Sequence, residues 1–371
     1  MTANKISIQS ANKLLGLEVI RFLSAISVLI WHYQHFSFVG GDQVSFVKES
    51  QPFYSALSLF YSYGYYGVQA FWCISGFIFF WKYGDVISKK WITAKKFFVL
   101  RFSRLYPLHF VTLLLVCALQ AIYIYKSNQY FVYQNNDLKY FLYQLFLASD
   151  WGFLKGYSFN GPIWSISVEV LVYFIFFAVL RLAGKKIYLN ILVLILFGIA
   201  KYFKIENQII DCLGFFYAGG LSALVLSSAE KWKYRYFISA AALGYILVAP
   251  VAMYIFPIRH QGILLLTYVP TLLYFFSKNI RVYPPIAKMI EALGNMTYSS
   301  YLIHFPIQLT IAIYYAYTNQ QIPFYTNQLF LFFISITLIL AFLIYRFLEM
   351  PAQNGIRNRF SRGAQGAKVQ A

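Results

Sequence analysis

Runs of about twenty apolar residues recur along nearly the whole sequence, separated by short polar connections. Twenty residues of helix rise about 30 Å, which matches the hydrocarbon core of a bilayer. Only 12% of the residues are charged and 60% are hydrophobic, about half the charge of a soluble domain. A disordered chain would need the opposite composition, and no heptad is sustained long enough for a coiled coil. The sequence therefore predicts an all-α fold, a polytopic membrane helix bundle of about ten transmembrane helices. The spans fall at 16–37, 62–83, 103–125, 164–184, 187–203, 209–227, 236–255, 262–278, 294–317 and 327–348. Residues 1–15 read as a cytoplasmic N-terminal segment, 16–351 as one transmembrane domain and 352–371 as a basic, flexible cytoplasmic tail. No removed signal peptide is expected, because the first apolar run is longer than a signal-peptide core.

The net charge of +19 would suggest nucleic acid in a soluble protein. Here the basic residues lie between apolar spans, so topology explains them and no nucleic-acid partner is expected. With both termini cytoplasmic, roughly 22 of the 31 Lys and Arg residues fall on the inner side and about 7 on the outer. Cys73, Cys117 and Cys212 lie inside apolar runs and make an odd count, so neither a disulfide framework nor a metal site is expected. In the connection 126–163, Tyr140 to Ala148 reads as a short interfacial helix, followed by a turn-rich stretch with Gly152, Gly156, Gly161 and Pro162.

Ionisable groups at membrane depth cost about 3 kcal/mol or more, so they mark cavities or partners. The first span carries Glu18, Arg21 and His32. Eleven residues turn a helix through about 1100°, close to three full turns, so Arg21 and His32 share a face about 16 Å apart along the axis. Glu18 stands three residues before Arg21, a spacing that permits an intrahelical ion pair. The plain structural alternative is a buried ion pair with His32 snorkelling to the interface.

Further candidates lie along the chain. Arg101 and Arg104, three apart at the mouth of the third span, form a double fork suited to phosphate oxygens, although topology alone also places basic residues there. Gly64, Gly67, Ser75 and Gly76 allow close approach of another helix or a thin ligand chain, and helix packing is the simpler explanation. Trp164 reads as an interfacial anchor, and Glu169, more than a turn inside the fourth span, needs a proton or a partner. His304 lies just before Pro306, whose missing N–H frees a carbonyl; a kink with the imidazole bonded to that backbone is the structural alternative. No serine stands in a nucleophile-elbow context.

In this order the motifs resemble the acyltransferase 3 superfamily, integral membrane enzymes that O-acetylate bacterial polysaccharides and lipopolysaccharide. The matching elements are Glu18-x-x-Arg21 with Arg21 and His32 separated by ten residues, Gly64 to Phe77, Arg101-Phe-x-Arg104-Leu-x-Pro107, Trp164-Ser-x-x-x-Glu169, Ser299-x-Tyr-Leu-Ile-His304 and Glu349-x-Pro351. Glu18 stands where Asp is commoner, and Trp72 where Phe is. The resemblance implies acyl-CoA, most often acetyl-CoA, as a cytoplasmic co-substrate, with no tightly bound cofactor or metal. It implies a glycan hydroxyl, extracytoplasmic or lipid-linked, as acceptor, in the bacterial inner membrane. It further implies His32, Arg21 and Glu169 in catalysis, Arg101 and Arg104 on the CoA phosphates, and Glu18, Ser75, Trp164 and His304 in support. His32 would act either as general base or as transient acyl acceptor. Some family members carry an extra span and an extracytoplasmic hydrolase-like domain; neither is read in this sequence, so a separate extracytoplasmic transferase partner is expected where transfer requires one. Succinyl or longer acyl transfer is the nearest alternative, and a proton-coupled transporter or flippase of glycan precursors is the alternative from another class.

Overall fold

The computed structural model describes residues 14–229, 232–255, 261–278 and 282–369, with 253–255, 261–263 and 361–369 described by backbone alone. Residues 1–13 of the expected N-terminal segment therefore lie outside the described residues. Every apolar block is helical. The ten blocks correspond to α1 (Leu15–His32), α3 (Gly67–Ser88), α4 (Ala94–Ser127), α6 (Ile163–Ala183), α7 (Ile187–Tyr202), α8 (Gln208–Ala229), α9 (Arg235–Ile255), α10 (Gln261–Phe276), α12 (Thr297–Thr318) and α13 (Asn327–Ile344). Among the described residues, six stretches are long and apolar enough to cross a membrane: Leu15–Ser37, Ala94–Ser127, Ile163–Ala183, Gln208–Ala229, Arg235–Ala252 and Asn327–Phe360. Ile187–Tyr202 and Leu264–Phe276 are apolar but shorter.

Between these helices lie elements too short or too polar to register as spans. They are α2 (Tyr54–Tyr63), α5 (Leu138–Leu145), α11 (Pro284–Asn295) and a small antiparallel ribbon of β1 (Phe38–Val39) and β2 (Asp42–Gln43). The short helix expected from Tyr140 appears as α5, capped by Asp137, whose side chain accepts from the Tyr140 N–H at 2.9 Å. Gly152 and Gly156 in the following loop hold left-handed conformations, φ 91° and 75°, which a residue without a Cβ adopts at no steric cost.

Helix α4 starts nine residues ahead of the expected span, capped by Thr93. Its first turns are charged and so drop out of a hydropathy pattern, while Lys, Arg, Leu and Ala remain good helix formers. Past residue 351, where the sequence suggests a flexible tail, α14 (Met350–Val369) continues directly from a π-helical turn at Tyr345–Glu349. The tail has a partner that sequence pattern does not display. Arg357 on α14 donates from Nε to Ser103 Oγ at 3.1 Å, holding α14 against α4.

With lipid on the outside there is little hydrophobic drive between helices, and close packing of small residues takes its place. Helices α3 and α8 meet backbone to backbone. A Cβ at Gly76 would overlap the Phe216 carbonyl, and one at Gly219 would overlap the Cys73 carbonyl. Gly64 and Gly67 seat the start of α3 against the Ser27 and Ser24 carbonyls of α1 in the same way, and Ser27 Oγ donates to Gly64 O at 3.1 Å. The glycines singled out in the sequence thus serve helix packing. Helices α3 and α12 carry polar residues along much of their length and are largely buried; polarity is tolerated there because neighbouring helices, not lipid, surround them.

Candidate active site

Helices α1, α3, α4, α6, α12 and α14 enclose a cavity of about 480 Å³. Six of the residues singled out by sequence line it: Glu18, Arg21, Ser75, Arg101, Arg104 and Glu169. Lys82, Tyr298, Tyr301, Gln353 and Arg357 line it as well. The cationic side chains are therefore Arg21, Lys82, Arg101, Arg104 and Arg357, against the carboxylates of Glu18 and Glu169. Such a balance in a partly enclosed space favours an anionic ligand.

The ion pair expected within α1 is present. Arg21 Nη1 lies 2.9 Å from Glu18 Oε2, with both side chains largely enclosed. Gly294 at the end of α11 makes room for it, since a Cβ there would overlap the Glu18 side chain. Arg101 is held from α3: its Nη2 donates to Tyr83 Oη at 2.7 Å, and its guanidinium lies 4.9 Å over the Phe79 ring and 5.0 Å over the Tyr83 ring. Stacking of this kind fixes the plane of the fork while leaving its charge unneutralised. Glu169 accepts from Tyr173 Oη at 2.5 Å, one turn along α6.

The π-helical turn buries Glu349, which is 2% exposed and accepts from Ser299 Oγ at 2.7 Å. Insertion of an extra residue into a helical turn re-aims side chains, and such turns recur at functional sites. This bond joins the two last motifs of the sequence, Ser299 to His304 and Glu349 to Pro351, which spacing alone did not connect.

His32 stands apart from this group. It is 6% exposed and turned into the bundle, but it is not among the residues lining the cavity. Its ring sits 4.8 Å from His304 and 4.8 Å from His35, with Trp31 edge-on at the same distance. His32 Nδ1 lies 2.9 Å from the Val28 carbonyl. A carbonyl can only accept, so Nδ1 carries a proton, and in the neutral imidazole the lone pair therefore lies on Nε2. The link back to the cavity runs through Tyr301, whose ring lines the cavity and stands 5.9 Å from His304. Tyr301 Oη and Ser165 Oγ are 2.7 Å apart at that end. Trp164 packs edge-on against Trp72, which lines the cavity, at 5.7 Å.

Pro306 leaves the Leu302 carbonyl without its helical N–H. Asn160 fills that vacancy, donating from Nδ2 at 3.0 Å, so this role belongs to the loop before α6 and not to His304. Sequence alone marks neither Asn160 as a latch nor Gln353 and Arg357 as cavity walls. All act across more than a hundred residues of chain, beyond the reach of local spacing. Outside the spans, Asp150 is anchored by its N–H to Ser167 Oγ at 3.1 Å, and burial pushes its carboxyl above the ordinary carboxylate value. Among the described residues no group of three or more His, Cys, Asp or Glu side chains could hold a metal ion.

Apolar helices of this length, wrapped around a cationic cavity, define a multi-pass integral membrane protein. Comparison with known families is specific. The model described as "Acyltransferase domain" matches residues 14–346, and the chain belongs to this acyltransferase 3 family. Proteins of Staphylococcus aureus strains COL, MSSA476 and N315 that carry the provisional name O-acetyltransferase are each 24% identical over 395 aligned positions, covering 91% of this chain. The chain spans about half the length of these relatives, 56%. No solved structure matches.

Proposed function

We propose that the chain is a membrane-embedded O-acyltransferase that moves an acyl group, acetyl in the first instance, from cytoplasmic acyl-CoA to a hydroxyl of an extracytoplasmic or lipid-linked glycan. The observation that carries this reading is the cavity, which gathers Arg21, Arg101 and Arg104 from α1 and α4 in a chain of the acyltransferase family. The proposal includes ten spans in a bacterial inner membrane with both termini cytoplasmic, so that the mouth of α4 faces the donor. A separate extracytoplasmic partner would deliver or receive the acyl group where the acceptor lies beyond reach.

In this reading Arg101 and Arg104 hold the CoA phosphates, and Arg21, fixed by Glu18, guides the pantetheine arm. Arg21 is about 16 Å along α1 from His32, a separation bridged by a phosphopantetheine arm and not by a side chain. Arg21 therefore orients the donor and does not stabilise the thioester oxygen at His32. The thioester passes Tyr301 to reach His32. There Nε2 takes the proton of the acceptor hydroxyl, the hydroxyl oxygen attacks the carbonyl carbon, the C–S bond breaks, and the thiolate leaves with the proton returned from the imidazolium. Glu169 lies with the arginines in the cavity and acts on the donor side.

The test is transfer by purified protein in lipid nanodiscs, with acetyl-CoA as donor and the surface glycan of the producing cell as acceptor. The wild type is expected to raise the glycan mass by one acetyl group. The His32→Ala variant is expected to lose about 10²–10⁴-fold in turnover, the usual contribution of general acid–base catalysis, with acetyl-CoA affinity unchanged. A succinyl increment would redirect the donor assignment, and full activity in His32→Ala would remove the imidazole from the chemistry.

A further inference from the structure

The cavity has a fourth guanidinium, beside Arg21, Arg101 and Arg104, that its motifs do not contain. Arg357 reaches it from α14, with Gln353 one turn earlier on the same face. Its Nε donates to Ser103 Oγ at 3.1 Å and its Nη2 to the Leu100 carbonyl at 3.4 Å, both on the first turns of α4 beside Arg101 and Arg104. These partners are neutral. Among the described residues none of Arg101, Arg104 and Arg357 forms an ion pair with a carboxylate, whereas Arg21 does. Three like charges on one wall repel; Glu169 shares the cavity but pairs directly with none of them, so a multiply charged anion that enters the cluster stabilises it.

The approach of α14 is itself built. Glu349, Gln353, Arg357 and Phe360 fall at intervals of four and three, along one stripe of the helix. Glu349 anchors that stripe to Ser299, and Lys95 on α4 lies 5.6 Å over the Phe360 ring at its other end. Arg357 is thereby fixed between two anchors, with Nη1 left for a ligand.

We infer that Arg357 is a donor-binding residue: α14 closes the mouth of the cavity, and its guanidinium joins Arg101 and Arg104 on the phosphate groups of the acyl-CoA nucleotide. The inference rests on the donor reading above. A residue that only ties α14 to α4 would affect every donor alike, whereas a phosphate ligand affects only donors that carry the nucleotide.

The experiment compares acetyl-CoA with S-acetylpantetheine, which has the thioester and no phosphate, using the full chain in zwitterionic nanodiscs so that no anionic headgroup competes. Arg357→Gln is expected to raise KM for acetyl-CoA about ten- to hundredfold, the loss of one charge-assisted hydrogen bond. It should lower kcat/KM for S-acetylpantetheine by a much smaller factor, the part owed to the helix contact alone. Arg357→Lys keeps the charge and the helix contact and is expected to lie between. Equal losses with both donors, or no change with acetyl-CoA while Arg101→Gln and Arg104→Gln weaken it, would overturn the role of Arg357 alone. A wild-type protein that uses neither donor would overturn the donor reading together with it.

Discussion

The contact between α3 and α8 yields a prediction whose sign depends on position while the chemistry is held constant. Replacing a helical glycine by alanine removes backbone freedom from the unfolded chain and stabilises an unobstructed helix by about 1 kcal/mol. Gly198 on α7 is unobstructed, with nothing within 4 Å of a built Cβ. At Gly76 the same methyl would overlap the Phe216 carbonyl. That neighbour is backbone in a packed helix and cannot rotate away, so α3 and α8 must separate. Overpacking of a tight interior costs about 1–3 kcal/mol, which leaves Gly76→Ala less stable than wild type by up to about 2 kcal/mol after the helical gain. The assay is thermal unfolding in detergent followed by a thiol-reactive dye. Cys73 and Cys212 are free and buried, and Cys73 lies in the contact itself. Gly198→Ala should unmask thiols at a higher temperature than wild type and Gly76→Ala at a lower one. A Gly76→Ala protein that melts at or above wild type would refute the close backbone contact.

Two further outcomes are expected outside the cavity. Asn160→Ala removes the donor that satisfies the Leu302 carbonyl and should cost about 1–3 kcal/mol, the penalty of an orphaned buried acceptor, measured by the same melt; Asn160→Asp should not rescue it, because a carboxylate has no N–H to give. Burial holds the Asp150 carboxyl above its ordinary 3.8, so between that value and the raised one the folded state keeps a proton that the unfolded state has lost. Stability therefore falls as pH rises through that window, and Asp150→Asn should flatten the pH dependence of melting; an unchanged slope would contradict the burial.

Much of this architecture could be read directly from the chain. Apolar length marked the blocks that are helical, six of which are, among the described residues, long and apolar enough to cross a membrane, and the i,i+3 spacing of Glu18 and Arg21 placed their ion pair. The gathering of Ser75, Arg101, Arg104 and Glu169 with Arg21 was legible only as an ordered set of motifs. What escaped was tertiary. Arg357 looks in sequence like any other basic residue past a last span, and only the continuation of α14 brings it to Ser103. Likewise, helical periodicity put Arg21 and His32 on one face, yet it could not show that Tyr301 and His304 intervene between the cavity and the imidazole.

The paired contacts of α12 with the loop before α6 carry a mechanical consequence. Tyr301 Oη donates to the Pro162 carbonyl at 2.8 Å, and Asn160 grips the Leu302 carbonyl at 3.0 Å. Two successive residues of one element are thus riveted to two positions of the other, which removes rotation about either bond as a hinge. Anything that shifts residues 160–162 drags the helix bearing His304 along with it, so this loop works as a crank on the histidine cluster and not as a free flap.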